Sequence, residues 1–78
     1  MPTIFREEGF VFSFFSGGGH EPVHVHVRKA GGACKLWMEP LRLARSEDMD
    51  LRDIKRAMQL AEKHRQEILE AWNEYFGN

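Results

Sequence analysis

His20-Glu21-Pro22-Val23-His24-Val25-His26-Val27-Arg28, followed by Lys29-Ala30-Gly31-Gly32 and Ala33-Cys34-Lys35-Leu36-Trp37-Met38-Glu39, reads as two strands joined by a tight turn. Side chains alternate across a strand, so Val23, Val25 and Val27 take one face and His24, His26 and Arg28 the other. Two registers fit the turn. With Gly31-Gly32 at the tip, His24 faces Glu39, His26 faces Trp37 and Arg28 faces Lys35. With Ala30-Gly31 at the tip, His24 faces Trp37, His26 faces Lys35 and Arg28 faces Ala33. Either register gathers His24, His26, Arg28, Lys35, Trp37 and Glu39 on one face and leaves Cys34, Leu36 and Met38 with the valines on the other.

Upstream of this hairpin, Thr3 to Arg6 and Phe10 to Phe15 are β-rich runs separated by Glu7-Glu8-Gly9, a hairpin turn. Phe10, Phe12 and Phe14 share a face, which suits a core better than an exposed stacking platform. Ser16-Gly17-Gly18-Gly19 is a flexible break. Downstream, Pro40 ends or bends the strand because it has no N–H for the ladder, and Leu41-Arg42-Leu43-Ala44 suits a short edge strand. From Asp50 to Phe76 the period changes: Leu51, Ile54, Met58, Ala61, Ile68, Trp72 and Tyr75 recur at helical spacings with charges between them. Asp50 is an N-cap candidate and Gly77 a C-terminal stop. The expected fold is therefore α+β: one domain over 1–78, with an antiparallel sheet of three to five strands in 1–45 packed on one long C-terminal helix in 50–76.

A chain of 78 residues leaves no room for a second core. At that length only about 60% of the unfolded surface is buried, so stability is marginal and a partner, a second copy included, would help. The formal net charge of −1 argues against bulk electrostatic attachment to nucleic acid or acidic membrane. Residues 1–45 carry six basic against four acidic side chains, and residues 46–78 five against eight. Cys34 is the one cysteine, which rules out an intramolecular disulfide and a thiolate zinc cluster and fits a small core hydrophobe. No signal-peptide h-region and no membrane-length apolar run occur, so a soluble cytoplasmic protein is expected.

The polar face holds the chemistry. His24, His26 and Arg28 suit metal-independent phosphodiester chemistry, one imidazole as base, the other as acid, and the guanidinium on a pentacoordinate phosphate. Lys35, Trp37 and Glu39 suit recognition, with the indole stacking on a base or packing on a partner. An alternative reading, in a chain that otherwise requires no cofactor, makes His24 and His26 ligands of a divalent metal such as zinc, with His20 or Glu39 as the third. The plain alternative is a solvated face on a two-layer domain, where replacing His24, His26 or Arg28 would change stability little. His64 falls on the helix at the boundary with the sheet. Arg52, Lys55, Arg56, Lys63 and Arg65 are candidate contacts to an acidic partner.

Met1-Pro2-Thr3-Ile4, the block His20 to Lys29, Lys35-Leu36-Trp37-Met38-Glu39-Pro40, and His64-Arg65 through Trp72-Asn73-Glu74-Tyr75-Phe76 resemble a family of small bacterial proteins catalogued as a domain of unknown function, number four-one-six-zero. The resemblance covers nearly the whole chain. It implies a component of a two-gene, toxin–antitoxin-like module, with a cognate small protein from a neighbouring gene as partner and RNA or DNA as a target. It carries no catalytic residues over, so the site residues above rest on the face they share.

Overall fold

Alternating apolar residues at the N-terminus make two hairpins, and the structure, a computed structural model, describes residues 2–77. Met1 and Asn78, the ends of the expected domain, lie outside the described residues. Thr3–Glu7 (β1) and Phe10–Ser13 (β2) pair around Glu8 and Gly9, at φ 56° and 84°. Two left-handed residues match the twist of a two-residue hairpin. A 3-10 turn over Gly18–His20 leads into His24–Lys29 (β3), which pairs with Gly32–Met38 (β4). Leu41–Glu47 (β5) completes an antiparallel sheet in the order β1-β2-β3-β4-β5. The central register sets His24 against Trp37, His26 against Lys35 and Arg28 against Ala33. That is the register of the Ala30-Gly31 turn, with Ala30 itself in the left-handed region at φ 53°.

β5 runs three residues past the expected Ala44, and the helical segment is divided. Leu51–Lys63 (α1) and Arg65–Phe76 (α2) replace the expected one long helix. The break falls at His64, whose backbone sits at φ −105°, ψ 21°. A straight helix over 51–76 would run about 39 Å, longer than the 34 Å greatest extent of the Cα trace. The bend keeps both halves on the sheet. Neither proline nor glycine marks it. His64 is instead tied to its surroundings: Nε2 meets Glu7 on β1 at 2.7 Å, Nδ1 meets Glu67 at 2.9 Å, and its ring lies on Phe5 with centroids 4.0 Å apart. It is the boundary residue expected. The ends also follow expectation, with Asp50 accepting from the Asp53 N–H at 2.9 Å and Gly77 left-handed at φ 73°.

The core lies between the inner sheet face and the helices. Phe10, Phe12, Phe14, Val25, Val27, Leu36 and Met38 meet Ala57, Leu60, Ala61, Ile68 and Trp72, and Ile54 is buried as well. Each fully buried large aliphatic side chain contributes about 1.5–3 kcal/mol. The helical stripe is shifted from expectation: Ala57 and Leu60 are buried, whereas Leu51 and Tyr75 are exposed. Cys34 joins the core, and burial pushes its thiol up to about 11, an inert state. Among the described residues no helix is long and apolar enough to cross a membrane.

Candidate functional site

Both helices pack on one face of the sheet, so the other face is free to work. Register places a row of polar side chains across four strands there: Ser13 on β2, His26 on β3, Lys35 on β4 and Arg45 on β5. Beside it run Val11, Arg28, Ala33 and Glu47, with Arg6 of β1 at the edge. On the other side run His24, Trp37 and Arg42. Arg45 reaches this face because of a β-bulge. Strict alternation from Arg42 would send Arg45 inward, but the register shifts between Lys35 and Leu36 and restores it to the outer face.

One end of the face is roofed by the segment Phe15–Val23. Phe15 stacks on His26 with centroids 3.8 Å apart and keeps 47% of its own surface exposed. Gly18 lies over His24, where a Cβ would come within 3.1 Å of the imidazole, and a Cβ on Gly19 would come within 2.7 Å of the Phe76 ring. The glycine run therefore allows close covering rather than a loose tether. Glu21 reaches down from this roof to Lys35 at 2.7 Å, and that hydrogen bond holds its carboxyl below the usual range. Lys35 is 6% exposed and also sits over the Trp37 ring, 4.5 Å from the centroid. A buried ammonium is tolerable because it is paired in this way.

The two histidines of the expected site differ. His24 lies on the expected face but is 1% exposed, which corrects its reading as a solvated residue. Trp37, Trp72 of α2 and His26 surround it at centroid distances of 5.6, 5.2 and 5.3 Å. Its Nδ1–H donates to the Pro22 carbonyl at 2.8 Å, since a carbonyl only accepts, and Nε2 faces Glu21 at 3.6 Å. His26 is half-buried, and burial, with help from His24, Lys35 and Arg45, lowers its pKa to about 4. Its ring is neutral at physiological pH, with one nitrogen available to accept a proton.

Arg28 is exposed beside this pair, and Trp37 is half-buried. Glu39 falls in the turn after β4 rather than in the strand, and it is exposed outside the row. His20 is exposed on the 3-10 turn, and no group of three His, Cys, Asp or Glu able to hold a metal forms among the described residues. Ser13, Phe15, Glu21 and Arg45 belong to the site beyond the residues that the sequence pattern points to. Ser13 carried a signal, being the polar residue out of phase with Phe10, Phe12 and Phe14. Arg45 carried none, because a bulge is invisible to alternation.

Two clefts open on this face, on a shared border of Phe15, His26, Lys35 and Arg45. One, of about 510 Å³, is lined by Ser13, Arg28, Ser46 and Glu47 among others, and the second, of about 680 Å³, by Gly18, Glu21 and His24. The family model described as Domain of unknown function (DUF4160) matches residues 9–73, which span both clefts and every residue of the polar row. The chain belongs to that family. No curated protein and no solved structure gives a significant match to this DUF4160 chain.

Proposed function

We propose that the outer sheet face binds RNA, and that the chain serves as one component of a two-gene, toxin–antitoxin-like module beside a cognate small protein. The observation that carries this reading is the gathering of unpaired arginines on one face. Arg56, Lys63 and Arg65 on the helices pair with Glu8, Glu7 and Glu62. Among the described residues six Lys and Arg side chains take part in no ion pair: Arg52 and Lys55 stand on α1, while Arg6, Arg28, Arg42 and Arg45 gather on the outer face. Unpaired guanidiniums on an open sheet suit phosphates, and the exposed Phe15 ring supplies a stacking surface. The outer edges of β1 and β5 offer a partner the backbone groups of unpaired strands.

Fluorescence anisotropy with short oligoribonucleotides tests the face. Arg28→Gln combined with Arg45→Gln should weaken binding and flatten its dependence on log salt by about 0.7 per lost phosphate contact. Replacing Arg52 and Lys55 on α1 should do neither. Affinity unchanged in the double variant, or no binding at low salt, overturns the RNA reading. Growth tests the module. Expressed alone and then with the adjacent short gene, a toxic component slows growth only in the first case, and no effect in either leaves the antitoxin or adaptor role.

A second reading, metal-independent phosphodiester cleavage, is favoured by one observation, the His26 ring in the same cleft lining as the unpaired Arg28 and Arg45. His26 would take the 2′-hydroxyl proton as that oxygen attacks phosphorus and return it to the departing 5′-oxygen, while the guanidiniums stabilise the charged phosphate, whose own charge raises the basicity of the ring. Cleavage of RNA in the presence of chelator, lost in His26→Gln, supports it. Intact RNA under conditions of saturating binding removes it.

A further inference from the structure

The hydroxyl of Ser13 is the odd group of this molecule. Ser13 is 1% exposed, and its Oγ is the buried side-chain polar atom left without a hydrogen-bond partner among the described residues. Buried hydroxyls in folded proteins are nearly always bonded, and an exception asks for a reason. This one sits on the outer face, opposite His26, in the lining of the 510 Å³ cleft. Arg28 and Arg45 line the same cleft and are in no ion pair among the described residues. Lys35 is occupied by Glu21, and Glu47 is the one carboxylate in the lining.

We infer that this cleft is a binding site for a phosphate group, with Ser13 Oγ donating from its floor and Arg28 and Arg45 closing on the oxygens from its rim. The two guanidiniums only donate and the hydroxyl can donate, so a ligand rich in acceptors suits them, and two guanidiniums against the one Glu47 carboxylate favour an anion. The planar fork of arginine matches the oxygens of phosphate in pairs. A neutral imidazole adds one N–H donor without adding charge. The inference deepens the RNA reading by naming what the cleft takes, and it rests on that reading for the source of the phosphate.

The test is a titration of ¹⁵N-labelled protein with inorganic phosphate at constant ionic strength, against acetate and chloride. Saturable shifts at Ser13, His26 and Arg45 are expected with phosphate alone. The titration midpoint of His26 should rise from about 4, because an anion beside the ring favours the imidazolium. Ser13→Ala should weaken phosphate binding about tenfold, the usual effect of one hydrogen bond to a charged group, without lowering the melting temperature. Arg45→Gln, at an exposed position, should weaken it as well. Equal shifts with acetate or chloride, or phosphate affinity unchanged in Ser13→Ala, overturn the assignment. Oligoribonucleotides with and without a 5′-phosphate then identify the source. Phosphate binding with no oligoribonucleotide binding upholds the cleft and ends the RNA reading. Oligoribonucleotide binding indifferent to Ser13→Ala and to competing phosphate ends the cleft assignment and leaves the RNA reading standing.

Discussion

His24 and His26 are two residues apart on one strand, with rings in contact, yet they have different work. His24 is enclosed by two tryptophans and bonded to the Pro22 carbonyl. His24→Ala should therefore cost about 2–4 kcal/mol, the range for truncating a packed core side chain. Arg28→Ala should stay within about 0.5 kcal/mol, as exposed substitutions do. Urea melts of the two variants check the contrast. His26 gives a pH signature. Its folded pKa, lowered to about 4 chiefly by burial, lies below the ordinary 6.5. As pH falls through 6.5 the unfolded ring takes up a proton that the folded ring refuses, so the unfolded state gains. The contribution of His26 to stability is complete above pH 6.5 and is lost between 6.5 and about 4. Melts across that window should show the decline, and His26→Gln should remove its share of the slope.

At the scale of elements, two contacts join parts that are distant in sequence. Gly32 opens β4, and a Cβ there would lie 2.3 Å from the Asp48 carbonyl oxygen, on the backbone that leads from β5 into α1. Backbone cannot swing aside as a flexible side chain would. Gly32→Ala should destabilise the fold by about 1–3 kcal/mol, the usual range for overpacking, as a lower urea midpoint at unchanged m-value. The second contact is His64 at the bend between α1 and α2. Its hydrogen bonds to Glu7 and Glu67 tie the bend to the first strand. His64→Ala should cost about 1–3 kcal/mol, since bonds to charged groups are the stronger kind. A double-mutant cycle with Glu7→Gln should show positive coupling, and strict additivity would mean that the Glu7 contact contributes nothing.

Across the whole molecule, two layers divide the labour, and Trp72 joins them. Its ring centroid lies 5.3 Å from that of Phe14 in the core, 4.2 Å from that of the partly buried Phe76 and 5.2 Å from that of His24 on the outer face. Trp72→Ala should cost about 3–5 kcal/mol and should also move the His24 resonances in an NMR spectrum. If those resonances stay put, the two layers are independent. Charge divides the same way. A formal net charge of −1 hides a sheet face bearing Arg6, Arg28, Lys35, Arg42 and Arg45, five of the chain's eleven Lys and Arg residues. Net charge constrains bulk attraction and says nothing of a patch. The excess of basic over acidic residues in 1–45 was the visible trace of it.

The α+β class, the pairing of the central strands and the caps at Asp50 and Gly77 were determined by the sequence alone, because period-2 and period-3.6 patterns and cap chemistry are local. So was the shared face of His26, Arg28, Lys35 and Trp37. Alternation left two registers open, since both satisfied it, and the folded sheet takes one of them. The bend at His64 came from fitting a helix to a short sheet and from contacts 57 residues away. The burial of His24 came from the glycine segment folding back and from Trp72 on a distant helix. Arg45 faces outward through a bulge, and the cleft over Ser13 exists only because four strands and Phe15 meet there. Each of these depends on residues far apart in the chain, and no local pattern carries that information.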